Sequence, residues 1–309
     1  MSQVLVRVMS AGLDKCDLLS VSGWGRVERG KPHGGFTLGR DFCGVVVEAG
    51  LGVTHVSPGD RVWGVVPYHL GGTLSEQIVV GGSHVVRMPP NLNWEGGATV
   101  PHSAVTTWSA LVTSGHLTPD QCAGTRVLVL DSVTDTGCLV TQLCCIWGCH
   151  VTAVTSGRAA QLAAALGAHH VIPTDNDDSD GHLEDISRAG PYNLIVQCGD
   201  TLSQHQISRL MSANTKLAST LPTSLSSDGW GSLRRLFHPV WRTLILSPPG
   251  VARPARITEA LQYCRQAVQK GKLQPVLDNV LSPSQVSAQL SKLATGDTVG
   301  KSVVLFDRL

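Results

Sequence analysis

The sequence predicts an α/β protein in two parts: a turn-punctuated β-rich part forming a partly closed barrel, and a doubly wound part built on a parallel sheet. Three observations predict it. Short β-branched runs alternate with Gly, Pro and Asp turns over the first third of the chain. From Arg126 to Ser156 the residues read strand, tight polar loop, helix and strand within about thirty residues, which is a βαβ unit. Beyond Ser156 the helical and extended patterns keep alternating.

In chain order, Val4 to Val8 reads as the first strand. Val45 to Glu48, the segment opening at Arg61-Val62-Trp63, Gln77 to Val80 and Val85 to Met88 follow as short strands, separated by signals such as Ser57-Pro58-Gly59-Asp60 and Gly71-Gly72. Ala98 to Leu111 is helix-compatible and leads to the βαβ unit. There Val127 to Leu130 has the continuous apolar character of a strand buried on both faces. Helical spacing of Leu139, Val140, Leu143, Ile146 and Trp147 comes next, stopped by Gly148, and Val151 to Thr155 is the second strand. Ala159 to Leu166 is a helix capped by Gly167, Val171 to Pro173 a short strand, and Leu194 to Val196 another. Ser219 to Trp230 reads as loop, and Thr201 to Pro249 is the segment with the weakest pattern. Ala255 to Lys270 is amphipathic, with Ile257, Ala260, Leu261, Cys264 and Ala267 on one face. Gln274 to Leu277 and Lys301 to Phe306 read as strands returning to the first part. The expected division is therefore 1–108 with 271–309, and 109–270.

A chain of 309 residues permits two domains with a sizeable core. Charged residues make up 15% and the net charge is +1, so no field-driven partner such as nucleic acid is indicated. No apolar run approaches the roughly eighteen residues that span a bilayer, and the chain reads as soluble. The nine cysteines include no Cys-x-x-Cys pair, which favours buried reduced thiols over a metal or disulfide framework. Met1-Ser2-Gln3 leads straight into the first strand with no Arg-rich leader before it.

Taken together, LGRDFCGVV, SPGDRVWGVVP, GGTLSEQIVV, AVTTWSAL, GAHHVI and GKSVVLF make the chain resemble the zinc-free branch of the medium-chain dehydrogenase/reductase superfamily, the quinone oxidoreductase-like group. The resemblance implies a GroES-like barrel domain, a Rossmann domain, NADPH as hydride donor and a quinone or enone acceptor. It further implies a mitochondrial setting, with the cytoplasm as the alternative since no transit peptide is seen, and allows a reticulon-type protein partner and a homodimer. Zinc-dependent relatives place a ligand His where this chain has Arg40, whose guanidinium stays protonated and cannot ligate zinc, so no metal is expected.

Departures from that pattern bear on the site. The chain starts where family members already have a preceding hairpin, Asp14 and Lys15 stand for Asn and Pro, and Leu19 for a tyrosine. The glycine loop has become Ser132 to Gly137, with Gly137 alone surviving of the expected glycines, and Asp131, Thr134 and Asp135 stand where small residues are expected. A pyrophosphate needs close backbone approach and a helix N-terminus, and two carboxylates beside it would repel it. The backbone N–H groups of Thr134, Asp135, Thr136 and Gly137 are the expected pyrophosphate contacts. Ser156 and Arg158 follow the second strand where an acidic residue would hold NAD, which favours NADPH. Thr106 and Thr107 are expected near the nicotinamide. Tyr68, His69 and His102 are the candidate proton donors, with solvent as the alternative. Two readings stay open: an NADPH-dependent reductase, and a cofactor-impaired paralogue or truncated isoform that keeps the fold as an interaction module.

Overall fold

A computed structural model describes residues 2–21, 37–67, 71–174, 179–221, 254–296 and 298–306. The strands, in chain order, are β1 (Gln3–Leu13), β2 (Asp41–Ala49), β3 (Arg61–Val65), β4 (Gln77–Gly81), β5 (Val85–Arg87), β6 (Arg126–Leu130), β7 (His150–Thr155), β8 (His170–Pro173), β9 (Leu194–Gln197), β10 (Lys216–Ser219), β11 (Leu277–Leu281) and β12 (Lys301–Leu305). The chain divides into two compact units, one of residues 1–105 with 250–309 and one of residues 106–249. The helix Pro254–Gln269, expected in the second region, falls in the first unit, where Asn91 Nδ2 donates to Val268 O and Thr258 Oγ1 to Ser83 O.

The first unit is one seven-stranded sheet whose path runs β11-β12-β1-β2-β3-β5, with β4 paired to β1. Its organiser is β1, an eleven-residue strand in which Val4, Val6 and Val8 point inward while alternate residues are more exposed. The first half of β1 pairs with β4 and its second half with β12, both antiparallel, while β2 lies along its other edge. Phe42, Val62, Ile78, Val80 and Val85 complete that core. Residues past Pro275, expected as strand from Gln274, pair only from Leu277 onward. Pro275 offers no ladder N–H, and Lys301 N donates to Val276 O across Gly300, where a Cβ would lie 2.5 Å from that carbonyl.

The second unit is a parallel sheet in the order β10-β9-β6-β7-β8. Its central strand β6 is buried throughout Val127–Leu130, which explains the unbroken apolar run there. The helix Asp135–Ile146 is buried on nearly every face from Thr136 to Cys144 and ends before Gly148 at φ 79°. The weakly patterned segment after Thr201 contains the helix Gln204–Leu210, opened by a Ser203/Gln206 capping box, and β10. Residues 222–230 of the expected Ser-rich loop lie outside the described residues. The helix expected to reach Leu111 runs Pro101–Trp108 and continues as a π-helical turn, Ser109–Ser114. All nine cysteines are free thiols. Among the described residues no helix is long and apolar enough to cross a membrane.

Gly137 is fixed by packing rather than by conformational freedom. A Cβ there would lie 2.2 Å from Asp131 O and 2.8 Å from the Ser132 carbonyl carbon, both backbone atoms that cannot give way cheaply. Gly137→Ala is therefore expected to destabilise the second unit by about 1–3 kcal/mol, read as a lower urea midpoint with the far-ultraviolet circular dichroism of the folded chain retained.

Candidate functional site

In a doubly wound sheet the ligand crevice lies at the carboxyl ends of the strands where the strand order reverses. Here that point lies between β6 and β9, because the chain builds β6, β7 and β8 outward in one direction and then returns to place β9 on the other side of β6. The residues leaving those two strands are Asp131 and the segment Cys198 to Thr201.

Thr134 is the N-cap of the helix Asp135–Ile146, its hydroxyl accepting from Gly137 N at 3.1 Å. Thr134 N donates in turn to Asp131 O at 3.2 Å, so of the four expected pyrophosphate donors two are committed inside the loop and the expectation rests on Asp135 and Thr136. Thr136 Oγ1 is also 2.9 Å from Thr220 Oγ1. Asp135 occupies the first helical turn, where its carboxylate is favoured by the helix dipole.

Asp131 has φ 57°, the left-handed conformation a glycine would take without strain. Its carboxylate accepts from the Thr201 hydroxyl and, at 3.3 Å, from Thr201 N. Burial drives the Cys198 thiol well above its usual range, and the Asp131 and Asp135 carboxylates add to the rise.

Ser156 is half-buried and opens the short turn Gly157–Ala159, and Arg158 within it is exposed. Thr155, Ser156, Gly157 and Arg158 bring no carboxylate to the end of β7. Thr106 and Thr107 are buried, and neither hydroxyl has a hydrogen-bond partner among the described residues. The same holds for Ser132 and Thr155, at the carboxyl ends of β6 and β7. Buried hydroxyls are rarely left unpaired without a ligand or water to meet them. These four, with the helix N-terminus and the acid-free end of β7, fit a bound dinucleotide.

Of the candidate proton donors, Tyr68 and His69 lie outside the described residues. His102 belongs to a buried charge cluster of the first unit that sequence reasoning missed. Lys301, 1% exposed, places its ammonium 2.6 Å from Asp41 Oδ2 and 3.4 Å from Asp14 Oδ2. His102 Nδ1 stands 2.9 Å from Asp14 Oδ2, and its backbone N–H donates to Asp41 Oδ1. Burial alone would lower the His102 pKa, but the Asp14 and Asp41 carboxylates hold it above the ordinary value. For Asp14, burial acts upward, yet Lys301 and His102 hold the carboxyl far below its usual range. Asp17, which accepts from Gly39 N at 2.7 Å and Asp14 N at 3.0 Å, is pushed up to about 7 by burial and by the Asp14 carboxylate. The available signal was a charged residue opening each of two largely apolar strands, Asp41 in β2 and Lys301 in β12.

The same region tests for zinc. Asp14, Cys16 and His102 present ligand atoms within 4.8 Å of one another. A dication among them would face the Lys301 ammonium across the shared Asp14 oxygen, so the donor set does not fit a zinc ion. At Arg40 the guanidinium is buried, donating to Gly71 O and Ser20 Oγ.

Two family models match, the alcohol dehydrogenase GroES-like domain over residues 1–90 and the zinc-binding dehydrogenase domain over residues 166–304. The chain is 31% identical to the mitochondrial NAD(P)H oxidoreductase RTN4IP1 of Bos taurus, over 98% of this chain and 81% of the relative. It belongs to that oxidoreductase family. A second member of the wider group, the chloroplastic quinone-oxidoreductase QR1 of Triphysaria versicolor, is 26% identical over 98% of this chain and 89% of the relative. The fold matches an alcohol dehydrogenase superfamily protein from Novosphingobium aromaticivorans, with a TM-score of 0.77, 22% identity and coverage of 99% and 92% of the two chains. Family membership accounts for the two-unit architecture, and Asp131 departs from the small residue that the resemblance leads one to expect there.

Two tests address the cluster. Lys301→Met strands two buried carboxylates and is expected to cost about 3–5 kcal/mol, measured by urea unfolding. Asp17 and His102 have raised pKa values when folded, so their stabilisation is present below the unfolded values and lost as pH rises through the folded ones. Through Asp17 stability should thus fall as pH rises from about 4 to about 7, and Asp17→Asn should flatten that slope whatever its effect at the acid end.

Proposed function

We propose that this protein is a zinc-free, NADPH-dependent oxidoreductase that passes hydride to a quinone-like or enone acceptor. The observation that carries the reading is the pair of buried hydroxyls, Ser132 and Thr155, without a partner among the described residues at the carboxyl ends of β6, which borders the crevice, and of its neighbour β7. Family membership supports an oxidoreductase, and the quinone-oxidoreductase relative supports the acceptor class.

The nicotinamide, when bound, supplies the hydride, and the chain's task is to bind and orient it. The first turn of the helix Asp135–Ile146 directs N–H groups at the diphosphate, with Thr136 as its principal donor. Ser156 and Arg158 receive the 2′-phosphate, Arg158 by charge and Ser156 by its hydroxyl. Thr106 and Thr107 hold the carboxamide end through hydroxyls that have no other partner. His102 keeps its imidazole against Asp14 and so acts on the cluster that it helps neutralise, while solvent protonates the reduced acceptor. No metal enters the reaction.

We place the protein in the mitochondrion by its relatives, with a reticulon-type protein as partner and a homodimer as the assembly. A second reading, an interaction module with an impaired cofactor site, is favoured by one observation, the Asp131 carboxylate at the reversal of strand order.

Arg158→Ala separates cofactors. It is expected to weaken NADPH binding on the order of tenfold while leaving NADH nearly unchanged, as measured by calorimetric titration. An unchanged NADPH/NADH ratio would remove Arg158 from the site.

A further inference from the structure

We propose that Asp131 sets the affinity of the crevice by closing it: its carboxylate is latched to Thr201, and a dinucleotide diphosphate enters by displacing that latch. The proposal rests on the cofactor reading given above.

Position comes first. Asp131 leaves β6 and Thr201 follows β9, so the contact between them spans the point where the strand order reverses. Both the hydroxyl and the backbone N–H of Thr201 donate to the carboxylate, one to each oxygen. Gly199 makes room for it, since a Cβ there would lie 2.4 Å from Asp131 Cγ. The backbone at Asp131 keeps a positive φ of 57°, so the loop holds the shape a glycine would give it while carrying a charged side chain in its place.

Electrostatics points the same way. Asp135, in the first turn of the helix Asp135–Ile146, adds a second carboxylate to the same loop, and a diphosphate brought to the N-terminus of that helix is repelled by both. The hydroxyl of the next residue, Ser132, is buried with no partner while the latch is closed. A phosphate oxygen is the acceptor that hydroxyl lacks. Asp131 thus holds the loop to Thr201 and repels the ligand.

The test uses the full chain and three variants, titrated with NADPH by calorimetry at low salt. Asp131→Gly removes latch and charge and fits the left-handed backbone, so it should bind on the order of tenfold more tightly than the parent. Asp131→Asn, which loses the charge but keeps an acceptor for Thr201, should fall between. Thr201→Val keeps the charge but loses one latch bond, and it too should bind more tightly than the parent. Hydrogen exchange without cofactor reads the latch directly, and the Thr201 amide should exchange faster in Asp131→Gly than in the parent. If the parent binds and Asp131→Gly binds no tighter while unfolding as cooperatively, the latch is overturned and the cofactor reading stands. If neither binds at millimolar NADPH, both fall. Equal exchange of the Thr201 amide in the two chains likewise overturns the latch.

Discussion

The Lys301 ammonium is the contact on which the first unit depends. Three ionisable side chains, Lys301, Asp14 and Asp41, are taken almost wholly out of water, a step that is unfavourable unless each charge meets an opposite one at close range. They sit at the end of β1, the start of β2 and the start of β12, so the electrostatic requirement is also a topological one: the last strand of the chain must reach the first two. His102 joins from the helix that follows, through its ring to Asp14 and its backbone to Asp41. Aliphatic packing of Val4, Val6, Val8 and their neighbours supplies most of the burial, but it does not choose among the ways valine-rich strands can pair. Charges that tolerate only one arrangement can make that choice.

The second unit follows a different rule, in which the backbone shape of the nucleotide loop persists while its side chains have changed. The left-handed residue after β6, the capped helix and the tight approach of Gly137 are all present. Of the functions glycine serves in such loops, close helix packing has no substitute, because a Cβ at Gly137 would meet main-chain atoms. The left-handed turn does have one, since aspartate tolerates that region better than most residues. A glycine is thus required at position 137, while position 131 admits an aspartate.

Much of this was legible in the sequence, and the gaps have physical causes. The run Val127–Leu130 and the spacing of Leu139, Val140 and Leu143 announced the βαβ unit, because a doubly buried strand and a buried helix leave periodic traces. Strand β10 and the helix Gln204–Leu210 were missed since both are short, and the strand is largely exposed at its Lys216, Leu217 and Ser219 positions. The π-helical extension past Trp108 has no residue pattern of its own. At the proposed site, Thr134 to Gly137, Ser156 and Arg158 are expected from their offsets from the two strands. Thr201 was not, because its relation to Asp131 arises from parallel strands far apart in sequence, and no local period records such a pairing. The charge cluster was hidden for the same reason, with partners at opposite ends of the chain.

The discontinuity of the first unit has a consequence for biosynthesis. The second unit is a single contiguous stretch, 106–249, and all five of its strands have been made well before the chain is finished. The first unit must wait. Half of β1 has its antiparallel neighbour in β12, and until Lys301 has left the ribosome Asp41 lacks its ammonium partner and Asp14 has His102 alone. Through most of its synthesis the amino-terminal third therefore carries an unpaired strand edge and incompletely compensated acidic groups, the conditions under which nascent chains call on chaperones.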